Sequence, residues 1–320
     1  MLDAHVSGRS SFPNVELMHE EDTYKPGSAG GVLTRPVNPR QRHPEPRQVW
    51  MAEQGIDVQI NGGWLDSFGY ELPSYKGHAW SRFLKEHLIA ASNEKDNLRA
   101  LGSVTPQNGE KAALLLEGLV DEGLAGVMIG TQLHGDHSNL DDSTLNPFWA
   151  VASDHKAVVF IHPMYGCNDI PLNDYDIIKA VGQGLDTTTD RVSMFYAGPL
   201  LGTPACPWFC RIMPVACLGC LDGYTTNTII YPDQYADPVE GFSLFYFCAA
   251  VFDPNVRNFL MAKADVDRVM MGSGYSFSIG DHAPTGVVHA AGLSANVALA
   301  VLGGNALKPL HLEAGCDGHH

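Results

Sequence analysis

Short runs of bulky apolar residues alternate along this chain with longer stretches in which apolar side chains recur every three or four positions. The clearest run is Val158-Val159-Phe160-Ile161, which stops at His162-Pro163. Consecutive β-branched and aromatic residues predict a strand buried on both faces, and such strands belong to parallel sheets wrapped by helices. Upstream, strands are predicted at Ile56–Ile60, Ala100–Val104 and Gly126–Gly130. Between them fall helices at Val49–Gln54, Trp80–Ala91, Glu110–Glu122 and Leu145–Asp154, the third with Ala113, Leu114, Leu116, Leu119 and Val120 turned inward. Downstream, Asp174–Leu185 and Asn255–Ala262 predict helices, Phe242–Ala250 is apolar and aromatic, Arg268–Gly272 predicts a strand, and Pro284–Ala291 and Ser294–Leu302 predict two closing helices.

Met1–Ser7 forms a further short apolar run, predicted as a strand that brings in Asp3 and His5. The stretch from Ser193 to Tyr224 is expected to hold one more strand, although Pro199, Pro204, Pro207 and Pro214 are poorly placed for a central one. Strand and helix in repeated alternation, with about eight strands, predict an α/β fold of the (β/α)8 TIM-barrel type. Residues 8–47, rich in Gly, Pro, Arg and Asn, are expected as a long loop over that scaffold. Residues 1–315 are expected to form one domain, followed by a tail at 316–320.

The 320 residues suffice for a core of that size. With 36 acidic against 20 basic residues the formal charge is −16, so neither nucleic acid nor an anionic membrane surface is an expected partner. No apolar run approaches the ~20 residues of a membrane span, and the N-terminus lacks the pattern of a signal peptide. A cytoplasmic location is therefore expected. Seven cysteines fit reduced thiols better than a disulfide framework.

Candidate chemistry starts from His162. A histidine closing a buried barrel strand stands where such barrels present catalytic groups, although hydrogen bonding to a neighbouring loop is the plainer alternative. His134 and His137 form a His-Gly-Asp-His loop after the Gly126–Gly130 strand, either a metal-binding run or a solvated loop. Cys206, Cys210, Cys217 and Cys220 follow a C-x3-C-x6-C-x2-C spacing, which could bind structural zinc or be substituted core and loop positions.

Several stretches resemble the amidohydrolase-related (amidohydrolase 2) family, which includes aminocarboxymuconate-semialdehyde decarboxylase and the resorcylate-type decarboxylases. They are Met51–Gln59, Leu101–Gln107, Leu140–Phe148, Phe160–Pro163, Arg268–Ser273 and Leu302–Ala306, in the family's order over nearly the whole chain. The resemblance implies a metal-dependent barrel holding zinc or manganese, with ligands from a His-x-His on the first strand, a His ending the fifth and an Asp ending the eighth. A metal lowers the pKa of bound water to about 7 and polarises substrate oxygens.

Carried over residue by residue, His5 and His162 match metal ligands, whereas Ser7 and Gly274 stand where two others are expected. The sixth-strand acid/base histidine has no counterpart, since no histidine lies between Pro163 and His282. Arg47 matches an arginine that receives the substrate carboxylate, and Asp281 and His282 are candidates to replace the missing groups. The implied function is non-oxidative decarboxylation, or related hydrolysis, of a small aromatic or unsaturated carboxylic acid. The alternative is a catalytically impaired barrel that binds a ligand or a competent paralogue. A homodimer is implied in either case.

Overall fold

The computed structural model describes residues 15–20, 23–28, 44–63, 67–70, 72–93, 97–131, 139–164, 177–196, 206–211, 214–275, 277 and 280–312. Within the stretch expected as a loop, β1 (Val15–Glu20) and β2 (Thr23–Ser28) pair as an antiparallel hairpin. Helix α1 (Pro44–Gln54) follows, opened by a proline, a residue already set for a helix's first turn. Arg47 thus sits in a helix.

The remaining strands are parallel and alternate with helices. Strand β3 (Gln59–Asn61) pairs with β4 (Leu98–Ala100), and β4 runs through Leu101 into β5 (Gly102–Ser103). The Leu101 N–H keeps the register by donating to the Asn61 carbonyl over 2.7 Å. From β5 the order continues through β6 (Gly126–Gly130), β7 (Val158–His162), β8 (Trp208–Arg211), β9 (Phe245–Ala249) and β10 (Val269–Met271). Helices α2 (Ser74–Asn93), α3 (Gly109–Asp121), α4 (Asn146–Asp154), α5 (Gln183–Tyr196), α6 (Pro214–Ile230), α7 (Pro238–Leu244) and α8 (Pro254–Lys263) fill the crossovers, and α9 (Pro284–Ala290) follows β10. This is the (β/α)8 TIM-barrel architecture; Met1–Ser7, expected as a strand, lies outside the described residues. None of the described helices is long and apolar enough to cross a membrane.

Side-chain alternation along each strand separates two packing layers. Val127 and Ile129, Val159 and Ile161, Trp208, and Phe245 and Phe247 turn toward the helices, where Phe148, Trp149, Leu116 and Leu119 meet them. The intervening residues Val158, Phe160, Phe209, Tyr246 and Met270 fill the other face together with Leu101 and Leu310. Strand β8 forms despite its flanking prolines because Pro207 precedes it and contributes only its carbonyl, which accepts from the Val159 N–H over 3.2 Å. Trp208 is buried against Trp149 at 4.8 Å, on the helix side of the sheet.

Helix α3 corrects one expectation. Its buried stripe is Ala112, Ala113, Leu115, Leu116 and Leu119, and Leu114 is exposed, because a stripe anchored at 112, 115/116 and 119 leaves 114 on the far side of a 3.6-residue turn.

Candidate functional site

Parallel strands end on one rim, so Asn61, Ser103, Gly130, His162, Arg211, Ala249 and Met271 mark the face where barrels of this type carry their chemistry. Arg47 reaches this rim from the first turns of α1 and is fully buried. Its Nη1 donates to Gln59 Oε1 and, over 2.7 Å, to Asn61 Oδ1, both on β3. The guanidinium lies under the Tyr275 ring, 4.9 Å from its centroid. Tyr275 in turn stacks on Trp50 at 4.2 Å and 21°, and the Trp50 indole N–H donates to the His282 carbonyl over 2.9 Å. One turn of α1 therefore ties β3 to the loop that follows β10.

That loop turns tightly. The Asp281 N–H donates to the Ser273 carbonyl over 2.6 Å, which brings Asp281 back beside the strand end. Gly274 has φ +62°, a conformation that a Cβ disfavours. A Cβ on Gly280 would stand 2.5 Å from the Gly274 carbonyl oxygen, so the backbones approach closely there as well. The Asp281 carboxylate is buried and accepts from the Ala283 N–H over 2.9 Å. Burial lowers the pKa of Arg257, and the charges of Asp281 and Cys248 oppose that shift. The His282 side chain is exposed.

His162 ends β7, three strands along from β3, and is buried. Its Nδ1 lies 2.8 Å from the Pro163 carbonyl; with the proton there, Nε2 is left as the ring's acceptor. The neighbouring loops are clamped by Asp186 of α5, whose Oδ2 accepts from Thr131 Oγ1 over 2.5 Å and from the Met164 N–H over 2.7 Å. One helical turn on, Asp190 accepts from the Leu140 N–H. Burial pushes its carboxyl well above the usual range, the Asp186 charge pushes the same way, the Leu140 bond opposes and Asp141 adds to the rise. Across the rim, the Tyr70 hydroxyl accepts from the Gly130 N–H over 2.9 Å, and burial raises its pKa.

The structure therefore gathers Arg47 and His282 around Trp50, sets Asp281 behind them, and places His162 along the same rim. His5, His134 and His137 lie outside the described residues. Cys206 is buried with its thiol 3.4 Å from the Ala157 carbonyl, and burial pushes the thiol pKa up; Cys220 is exposed on α6. These two thiols occupy unlike environments. Among the described residues no group of three or more His, Cys, Asp or Glu is arranged to hold a metal ion. The described donors thus fall short of a zinc or manganese site.

Sequence reading missed Gln59, Asn61, Tyr275, Asp186 and Tyr70. Asp186 and Asp190 carried a signal: two carboxylates four apart on a helix, on the face that also buries Thr187 and Met194. Tyr275 carried none, since its role depends on the fold of the loop around it.

Residues 80–208 match a family model described as Amidohydrolase. The 2-amino-3-carboxymuconate-6-semialdehyde decarboxylase of Dictyostelium discoideum is 26% identical over 302 residues, covering 88% of this chain and 80% of that protein. Among solved structures, 5-carboxyvanillate decarboxylase from Sphingomonas paucimobilis superposes with a TM-score of 0.78 at 19% identity, over 87% of this chain and 88% of that one. The Novosphingobium aromaticivorans 5-carboxyvanillate decarboxylase, complexed with manganese and 4-hydroxy-3-methoxy-5-nitrobenzoic acid, gives 0.75 at 18%, over 83% and 80%. At these identities the structural likeness is one of fold, an amidohydrolase-type barrel.

Proposed function

We propose that this chain is an amidohydrolase-superfamily protein of the decarboxylase branch whose rim takes a small aromatic or unsaturated carboxylic acid, with the carboxylate on Arg47. The supporting observation is the setting of that residue: a guanidinium fixed on β3 by Gln59 and Asn61, with an aromatic ring on its face. A planar fork held in one orientation suits a carboxylate, and the Tyr275 ring marks the place where the ring of an aromatic acid stacks once Tyr275 swings aside. His162, with Nε2 as its acceptor, is the imidazole proposed for the reacting end of the substrate. In this reading His5 and His162 face a zinc or manganese ion, which would polarise a substrate oxygen when bound. The described donors by themselves fall short of such a site. Asp281 and His282 are assigned to shaping the rim, since one is engaged by Ala283 and the other anchors Trp50 through its carbonyl. A homodimer in a cytoplasmic setting completes the proposal.

A second reading, a catalytically silent barrel that binds the acid or a competent paralogue, is favoured by one observation. Gly274 stands where the resemblance expects a ligand aspartate and carries no side chain that could reach a metal ion. Turnover separates the two. The purified chain is supplied with manganese or zinc and with 4-hydroxy-3-methoxybenzoic acid carrying a 5-carboxylate, and carbon dioxide release is followed. Release that depends on the added metal supports the enzyme; binding of the acid without release, at any metal concentration, supports the silent barrel; neither binding nor release rejects the rim as a site for this acid.

A further inference from the structure

Strand β9 carries a cysteine on the inner face of the sheet, close to the rim. Phe160 of β7, Phe209 of β8 and Tyr246 of β9 stand in one row across the strands and fill that face. Two residues further toward the rim come His162 on β7 and Cys248 on β9, and because side chains alternate along a strand both turn to the same face. They are level with each other, two strands apart, which is about 10 Å between backbones. Cys248 keeps part of its surface exposed, whereas its neighbours Phe247 and Ala249 are fully buried. The sulfur lies against the end of β10, since a Cβ on Gly272 would fall 2.6 Å from Cys248 Sγ.

This thiol has a cation beside it. Arg257 of α8 is fully buried, and its Nη2 donates over 3.4 Å to the carbonyl of Ala249, the residue after Cys248. Its Nε and Nη1 have no hydrogen-bond partner among the described residues. Two negative groups act on this guanidinium, Asp281 and Cys248. Asp281 is not bonded to it: Oδ1 accepts from the Ala283 N–H, and Oδ2 has no hydrogen-bond partner among the described residues. A buried cation at the end of β9 is stabilised by a counter-charge, and a thiolate at Cys248 supplies one. The attraction is mutual. An arginine keeps its charge in any protein environment, so it favours the thiolate, the form of a cysteine that attacks carbon.

We propose that Cys248 is a nucleophilic thiol of the barrel mouth and a modification site for small carbon electrophiles of the activated-alkene class, with Arg257 as the positioning residue behind it. In the reaction the thiol proton goes to solvent and sulfur bonds to the β carbon of the alkene. The π pair moves to the α carbon, which takes a proton from water, so the net change is addition of the thiol across the double bond with no oxidant or reductant. The adduct stands level with His162 on the inner face. This reactivity does not depend on the activity assigned to the rim.

The test uses the full-length chain and an internal reference, Cys220, which is exposed on α6 and therefore more accessible than Cys248. Folded protein is treated at neutral pH with acrylamide, and separately with iodoacetamide, from which sulfur displaces iodide. Samples are quenched at intervals, and modification of the Cys248 and Cys220 peptides is followed by mass spectrometry. Cys248 is expected to react severalfold faster than Cys220 with both reagents, although it is the less exposed. Arg257→Met is expected to slow Cys248 severalfold and to leave Cys220 unchanged, and Arg257→Lys is expected to restore much of the rate, which a loss of packing alone would not do. Cys220 reacting as fast as Cys248 or faster in wild type, or an unchanged Cys248 rate in a folded Arg257→Met, overturns the proposal. Should Arg257→Met not fold, the wild-type ratio of the two rates decides: Cys248 ahead supports the proposal, and Cys220 level or ahead overturns it.

Discussion

The Tyr275 ring lies 4.9 Å from the Arg47 guanidinium carbon, and these two residues come from opposite ends of the described strand order, α1 beside β3 and the loop after β10. Their contact, extended by the Trp50 stack, fixes both the rim and the orientation of the one arginine assigned to substrate. Replacing Tyr275 by Leu removes a cation–π contact and a stacked pair, together worth about 2 kcal/mol. Urea unfolding of Tyr275→Leu is expected to show a loss of that order. The same change uncovers the guanidinium face, so acid binding by Tyr275→Leu is expected to become faster in stopped-flow measurements.

Asp186 holds the ends of β6 and β7 together through Thr131 and Met164. Truncation to Ala leaves the Thr131 hydroxyl and the Met164 N–H with one acceptor fewer in a buried place, a loss of about 2 kcal/mol. Asp186→Asn retains an acceptor oxygen and is expected to lose less. Denaturant midpoints of the two variants check this order.

Asp190 gives a pH signature. Its folded pKa is raised above the ordinary carboxylate value, so the folded state holds this proton where the unfolded chain has released it. Stability from this group is therefore full below the unfolded pKa and declines as pH rises toward the folded value. Asp190→Asn is neutral at every pH and keeps an acceptor for Leu140. Thermal unfolding from pH 4 upward is expected to show the variant gaining on wild type as pH rises, with the reverse trend excluding a raised pKa.

Gly274 sets the backbone of the loop after β10 at φ +62°. Gly274→Ala is expected to cost about 1 kcal/mol, and Gly274→Asn less, because asparagine tolerates this region better than alanine. Gly274→Asp is expected to lower the melting temperature unless a metal ion added at the rim compensates, which makes the melting temperature with and without manganese a direct readout.

The strand and helix alternation was legible because two-sided burial writes itself as consecutive apolar residues, as in Val158–Ile161. Position 114 was misassigned because three adjacent leucines leave the helical phase undetermined until packing chooses it. Arg47 and His162 were singled out by motif position, and the structure places both residues on the rim side of the sheet. Gln59, Asn61 and Tyr275 were not, since polar side chains acquire their partners only when strand ends and loops converge. Asp281 shows the limit most clearly: its distance from Ser273 depends on a loop closure that no local pattern encodes.

The assignment of Arg47 to the substrate carboxylate is tested most directly by titration calorimetry with 4-hydroxy-3-methoxy-5-nitrobenzoic acid, the acid bound in the Novosphingobium structure. Wild type, Arg47→Lys and Arg47→Met are compared with the same ring lacking its carboxylate as the control ligand. A charge-assisted pair lost from the complex corresponds to about 1.5–3 kcal/mol, roughly tenfold to a hundredfold in affinity. The expected result is that loss in Arg47→Met, a smaller one in Arg47→Lys, and weak binding of the control ligand that the substitutions leave unchanged. Equal affinity of wild type and a folded Arg47→Met for the acid would contradict the placement of the carboxylate on Arg47.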